Sequence, residues 1–373
     1  MLTEAHLSED EPPAGAALAG PSLPAPFAAA SPAPRVAIVG ATGAVGIELI
    51  RCLEARAFPL ASLRLLASAR SAGRRLPFAG SELIVEELTD DSFEGVDIAL
   101  FSAGATISRH YAPLAAEAGA VVIDNSSAFR MAPEVPLIVP EVNGALLAGH
   151  GGLGGSGGMI ANPNCVAAIL TVALAPLNRV QPIRRIQAAT YQAASGGGAA
   201  MMEELREGTR AALAGKDHAP QVLPQPYAFN LFSHNAEVDA RSGYNGEELK
   251  VIAETRRILG LPALPIGITC IRVPVLRAHG IAVTLTFDSP FGASEARRIL
   301  EAAAGVRVVD DRAANHFPMP SEASGQDDVL VGRIRTDLGD PSGCSLSLFL
   351  VGDQLLKGAA LNAVQIAEAL VAR

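Results

Sequence analysis

The chain has 373 residues, too many for one small domain and suited to two. Aromatic residues make up only 4% and Trp is absent, which excludes the stacking platforms that bind single-stranded nucleic acid. A net charge of −9 lacks the basic footprint that duplex binding requires, so no nucleic-acid partner is expected.

Cys52, Cys165, Cys270 and Cys344 are widely scattered and share no CxxC spacing. They read as reduced thiols of a cytoplasmic protein, with neither a disulfide framework nor a metal site. No apolar run approaches the roughly 20 residues that span a bilayer, so no membrane association is expected. Residues 1–34 hold no Lys or Arg and are rich in Ala, Pro and Ser. They lack signal-peptide or transit-peptide character and read as a disordered leader.

The folded part begins at Arg35-Val36-Ala37-Ile38-Val39, a β-branched run typical of a buried strand. A glycine turn follows, and residues 47–55 show helical spacing. Further strands are expected over 63–67, 83–85, 98–100 and 121–123, with a helix over 108–118. This alternation predicts an α/β fold with a doubly wound, mostly parallel sheet of Rossmann type. Residues 150–158 are nearly all Gly and read as a surface loop. Beyond it, residues 188–192, 267–275 and 281–287 are strand-like, the last two placed to pair across a turn near His279. They indicate a second, α+β domain. An amphipathic helix over 355–370 closes the chain and is expected to pack on the first domain. The domain reading is 35–164, completed by 351–373, for the dinucleotide, and 165–350 for the second unit.

Gly40-Ala41-Thr42-Gly43-Ala44-Val45-Gly46 follows a strand and opens a helix. Glycine suits such a turn because the backbone must bend tightly and approach a pyrophosphate, while the helix start offers free N–H groups. Gly40, Thr42, Gly43, Ala44, Val45 and Gly46 are the candidate contacts. An NAD site usually carries an acid at the end of the next strand. Here Ser68-Ala69-Arg70-Ser71 stands instead, and the Arg70 guanidinium with the Ser71 hydroxyl suits the 2′-phosphate of NADP.

Ala161-Asn162-Pro163-Asn164-Cys165 leads into an apolar helical run. Asn is a good N-cap, so Cys165 is expected in the first helical turn, where the helix dipole lowers a thiol pKa and makes a nucleophile. Cys52, Cys270 and Cys344 sit in apolar patterns and read as small core residues. Among seven histidines, His279 lies at a strand end and is the best-placed base.

With these residues in view, the chain from Val36 onward resembles the aspartate-β-semialdehyde dehydrogenase family. The matching blocks include Asp124-Asn125-Ser126-Ser127-Ala128-Phe129-Arg130, Asn162-Pro163-Asn164-Cys165, Thr190-Tyr191-Gln192, Glu247-Glu248-Leu249-Lys250, Arg272 through His279, and Lys357-Gly358-Ala359-Ala360. The resemblance implies that Cys165 attacks the aldehyde of L-aspartate 4-semialdehyde while His279 takes the proton. Hydride loss to NADP then gives a thioester, which phosphate cleaves to L-aspartyl 4-phosphate. In the cell this runs in reverse, towards lysine, methionine and threonine. It also implies that Arg272 clamps the substrate carboxylate, Glu247 faces the ammonium, and Gln192 holds the bound substrate. Arg130, Asn164 and Lys250 gather phosphate, Ser195, Gly196 and Gln354 border the cofactor, and a homodimer or homotetramer forms.

The sequence departs from the family pattern at Val166-Ala167, Gly280 and Gln354, and matches loosely over 229–244. The rival readings are an N-acetyl-glutamyl-phosphate reductase-like enzyme, a cofactor-binding paralogue without dehydrogenase activity, and a cysteine hydrolase. The last leaves the glycine turn and Arg70 without purpose.

Overall fold

The computed structural model describes residues 33–149 and 157–372. Most of the expected leader and of the glycine-rich loop lie outside these residues.

The first sheet contains β1 (Arg35–Val39), β2 (Ser62–Ala67), β3 (Arg75–Phe78), β4 (Ser81–Glu87), β5 (Ile98–Phe101), β6 (Val121–Asp124) and β7 (Gly158–Ala161). Its order is β3-β4-β2-β1-β5-β6-β7, parallel except for the β3–β4 hairpin. β5 and β6 are buried throughout, as expected of short apolar strands covered on both faces. Helices α1 (Ala44–Ala55), α2 (Ala105–Glu117) and the short α3 (Pro140–Asn143) connect the strands. Because β2 and β5 flank β1 on opposite sides, their connections diverge above its end and open a crevice there.

The second sheet contains β8 (Ile183–Gln192), β9 (Phe232–Ser233), β10 (Ile266–Arg272), β11 (His279–Phe287), β12 (Val306–Val308), β13 (Val329–Thr336) and β14 (Ser345–Gly352), in the order β12-β13-β14-β11-β8-β10-β9. Helices α4 (Cys165–Val180), α5 (Ala199–Leu213), α6 (Gly246–Leu259), α7 (Ala293–Glu301), α8 (Pro320–Ala323) and α9 (Leu361–Val371) complete the fold. Side chains of α4, α6 and α7 share one core with the sheet, including Leu170, Leu174, Val251, Leu300 and Val283.

Two expectations are corrected. β10 and β11 do not pair with each other; β8 lies between them, parallel to β10 and antiparallel to β11. The 273–278 connection arches over the end of β8 and bonds to it, Val273 N–H to the Gln192 carbonyl and the Ala194 and Ser195 N–H groups to the Val275 and Leu276 carbonyls. The terminal segment is not amphipathic. A π turn over Leu356–Ala360 leads into α9, and both are buried on nearly all sides. Lys357, Asn362 and Gln365 keep their polarity by pairing inside: Lys357 Nζ donates to Glu141, Asn362 and Gln365 at 2.6–2.8 Å. Leu361, Val364, Ile366 and Leu370 join the core of β1 and α1, where each fully buried side chain stabilises by about 1.5–3 kcal/mol. No helix among the described residues is long and apolar enough to cross a membrane.

Candidate active site

The glycine turn builds a cradle above β1. Gly40 has φ 86°, and a Cβ there would lie 2.9 Å from the Ser102 carbonyl carbon. A Cβ on Gly46 would lie 2.2 Å from the Gly40 oxygen, so the turn closes only with glycine at both positions. The helix begins at Ala44, earlier than its apolar spacing suggested, which places Ala44, Val45 and Gly46 in its first turn beneath the anion position. Gly40, Thr42, Gly43, Arg70 and Ser71 line a cavity of about 450 Å³ with Ser102 and Tyr111. Arg70 is exposed on a 3₁₀ turn at its edge, and Thr42 Oγ1 reaches Ser71 Oγ at 3.4 Å. A close-approach backbone, a helix start and a guanidinium without a partner among the described residues fit a phosphorylated dinucleotide.

Cys165 is the first residue of α4 and retains partial exposure. Asn164 is the N-cap, its Oδ1 accepting from the N–H groups of Val166 at 2.9 Å and Ala167 at 3.3 Å. Its Nδ2 donates one of its two N–H groups to Glu247 at 2.9 Å. Gln192 Nε2 donates to the same carboxylate oxygen at 3.1 Å. Burial alone would raise the Glu247 carboxyl, but His234, the Asn164 and Gln192 donors and Lys250 outweigh it and hold the group below its ordinary range.

The expected lowering of the Cys165 pKa is not found. Desolvation, with Glu247 adding to it, pushes the thiol up to about 12, while Arg130, Arg272 and the Val166 N–H act the other way. Burial at the helix start and the ionised Glu247 carboxylate thus outweigh the helix-start N–H and the two guanidinium groups.

Arg130 is tied by three bonds to Asn125, to the Cys165 block and to α6. Nε and Nη2 donate to the carbonyls of Asn162 at 2.9 Å and Asn125 at 2.7 Å, and Nη1 donates to Glu254 at 3.2 Å. Two of its five N–H groups remain for an anion. Lys250 is exposed on the same helix as Glu247.

His279 and Arg272 converge at Gly196. A Cβ on Gly196 would lie 3.0 Å from Arg272 Nη1 and 3.3 Å from His279 Nε2. Arg272 is held by its own bonds to Asn235 Oδ1 at 3.2 Å and the Ala193 carbonyl at 3.1 Å. His279 is fully buried; its Nδ1 accepts from the Ala193 N–H at 3.0 Å. That bond places the neutral ring's proton on Nε2, which has no partner among the described residues. Burial, then Arg272 and His234, depress its pKa well below the usual value. The resting ring is therefore a donor at Nε2; acting as a base there would require a proton on Nδ1, facing the Ala193 N–H.

Cys165 meets this group through the terminal segment. A Cβ on Gly358 would lie 2.8 Å from Cys165 Cβ and 3.2 Å from Gln354 Cβ, and Gln354 Nε2 donates to Ser195 Oγ. A chain of contacts thus links Cys165 through Gly358, Gln354 and Ser195 to Gly196, against which Arg272 and His279 stand.

Sequence reading missed Glu254 and Asn235. Glu254, seven residues beyond Glu247 on one face of α6, accepts from the Asn164 N–H at 2.5 Å as well as from Arg130. Its helical spacing could have revealed it. Asn235 had no such signal, because only the β9–β10 pairing brings it beside Arg272.

Residues 35–150 match the family model described as semialdehyde dehydrogenase, NAD binding domain, and residues 174–357 match semialdehyde dehydrogenase, dimerisation domain. An aspartate-semialdehyde dehydrogenase of Synechocystis sp. is 52% identical over 91% of this chain and 98% of its own length. That of Bacillus subtilis is 43% identical over 90% and 96%. The crystal structure of aspartate semialdehyde dehydrogenase II from Vibrio cholerae, complexed with ASA, superposes with a TM-score of 0.85 at 40% identity, covering 91% of this chain and 99% of that one.

Proposed function

The chain belongs to the aspartate-semialdehyde dehydrogenase family, and on that premise we propose how its own residues carry the reaction. The activity is the reversible, NADP-dependent reductive dephosphorylation of L-aspartyl 4-phosphate to L-aspartate 4-semialdehyde through a thioester on Cys165, a step of lysine, methionine and threonine biosynthesis. The observation that carries the residue assignment is the run of contacts that joins Cys165, through Gly358, Gln354 and Ser195, to the Gly196 position where Arg272 and His279 meet.

Arg272, oriented by Asn235 and Ala193, forks onto the substrate carboxylate; Glu247, held ionised, faces the ammonium. The free N–H groups of Arg130, with Lys250, hold the phosphate. Cys165 sulfur bonds to the acyl carbon as the carbon–oxygen bond to phosphate breaks, and the departing phosphate carries away the thiol proton. This direction suits a thiol that burial keeps protonated. His279 Nε2–H hydrogen-bonds the carbonyl oxygen and stabilises the charge it gains in each tetrahedral adduct. When bound, the nicotinamide supplies or accepts the hydride at the carbon held on sulfur. Collapse of the adduct releases the aldehyde and a Cys165 thiolate, which takes its proton from water.

Arg70 and Ser71 support NADP over NAD, the match of residues 174–357 to a dimerisation domain supports a homodimer, and the free thiols support a cytoplasmic setting. The test supplies purified protein with L-aspartate semialdehyde and NADP, with and without phosphate. Phosphate-dependent NADPH formation that vanishes in Cys165→Ser is expected. Turnover surviving in Cys165→Ser, or seen only with N-acetylglutamate semialdehyde, would overturn the assignment.

A further inference from the structure

The loop that joins Arg272 to His279 contains a residue outside the catalytic set with an unusually rich set of partners. Arg277 Nε donates to Asp353 Oδ2 at 2.6 Å, and its Nη1 donates to Glu48 at 2.9 Å. Glu48 lies on α1, two residues beyond the last glycine of the cradle. Asp353 follows β14, is fully buried, and is itself fixed by the N–H groups of Leu355 and Gly325. The bridge therefore spans the cofactor-binding helix, the loop and the end of the second sheet.

The next residue is strained. Ala278 is fully buried with φ 72°, a left-handed conformation that a side chain disfavours. Its N–H is caught by Gln354 Oε1 at 2.9 Å. His279 follows directly, so the bend at Ala278 sets where its ring stands. A strained conformation persists only where neighbours over-determine it, and here the neighbours are the Arg277 bridge, Gln354 and the buried Ala323, Leu330 and Val351.

We propose that Arg277 is a positioning residue: its bridge between Glu48 and Asp353 holds the left-handed bend at Ala278 and so fixes His279 against the cofactor-binding helix. This rests on the reading of His279 as a catalytic group. The arrangement ties the placement of that ring to the helix that carries the dinucleotide, although Arg277 is not among the residues lining the dinucleotide cavity.

The test uses full-length Arg277→Gln, with active sites counted by stoichiometric alkylation of Cys165 so that misfolded protein is removed from the rate. kcat per site is expected to fall about 10- to 100-fold, with KM for NADP within about twofold, because a ring displaced by an ångström loses its geometry. Glu48→Gln is expected to lose activity in the same way, and the double variant to be no worse than Arg277→Gln. Adding Ala278→Gly to Arg277→Gln is expected to recover part of the loss, since glycine adopts the bend without strain. A role in stability alone predicts lower Tm, unchanged kcat per site and no recovery. If Arg277→Gln does not accumulate, Arg277→Lys, which can keep one ion pair, is expected to show an intermediate kcat per site. Wild-type kcat per site in either soluble Arg277 variant, or independent losses in the double variant, would overturn the inference. His279→Asn separates the two levels. A fully active His279→Asn removes the reading beneath; an inactive one beside a fully active Arg277→Gln removes the inference alone.

Discussion

Glu254→Gln isolates the buried charge behind Cys165 while keeping shape and one acceptor. Arg130 and Glu254 stand 3.2 Å apart with side-chain exposures of 10% and 2%, and at an effective dielectric of about 20 their attraction is about 5 kcal/mol. Desolvation outweighs that attraction at the carboxyl and holds Glu254 above its ordinary range, so the cost appears when one partner is neutralised and the other stays buried. Such breaks cost about 3–5 kcal/mol, and the two carbonyls that still accept from Arg130 place this one near 3. At roughly 2 °C per kcal/mol, Tm falls about 6 °C. The Asn164 N–H also loses a charged acceptor, so Cys165 shifts and kcat falls about 10-fold. The pair Arg130→Met with Glu254→Leu leaves no orphaned charge but strands the Asn164 N–H and the Asn125 and Asn162 carbonyls, so it is expected to lose less than the sum of the two single losses while remaining inactive. Calorimetry and steady-state rates on the single and double variants decide the matter. A single variant as stable as the parent, or a double variant losing the sum of both single losses, would refute the reasoning.

Three further outcomes are expected. Gly358→Ala puts a Cβ 2.8 Å from Cys165 Cβ, so kcat falls about 10-fold or more while NADP binding, measured by fluorescence titration, holds; unchanged kcat would show that the π turn does not set the thiol. Arg70→Ala raises KM for NADP about 10-fold and leaves KM for NAD alone, and equal changes for both cofactors would remove Arg70 from the 2′-phosphate site. The third concerns pH. His279 lies well below the usual histidine range, chiefly through burial, so the acid limb of kcat/KM should fall well below pH 6.5 rather than at it. Burial, with Arg272 and Lys250, lowers His234 to about 4. A histidine depressed in the folded state contributes fully above about pH 6.5 and loses stability as pH falls below it, because the unfolded chain takes the proton first. Urea midpoints of the parent should thus drop more steeply between pH 7 and 5 than those of His234→Gln; parallel slopes would count against it.

Local patterns carried much of this protein. The buried strand at Arg35–Val39, the glycines that only a close-approach turn requires, the Asn164 cap and Cys165 at the helix start all depend on neighbours a few residues away, and sequence preserves that information. Only tertiary structure decided what depends on distant chain. β8 slips between β10 and β11, two strands whose neighbouring positions suggested a hairpin, because strand pairing is a long-range choice. The closing helix has polar residues that looked solvent-facing, yet Glu141, Asn162 and their own partners satisfy them inside. The thiol pKa turned the same way. A helix start argues for a lowered value, but burial by distant segments such as the Gly358 turn and the Glu247 charge from α6 prevail, because Coulomb and solvation energies follow distance in space rather than along the chain.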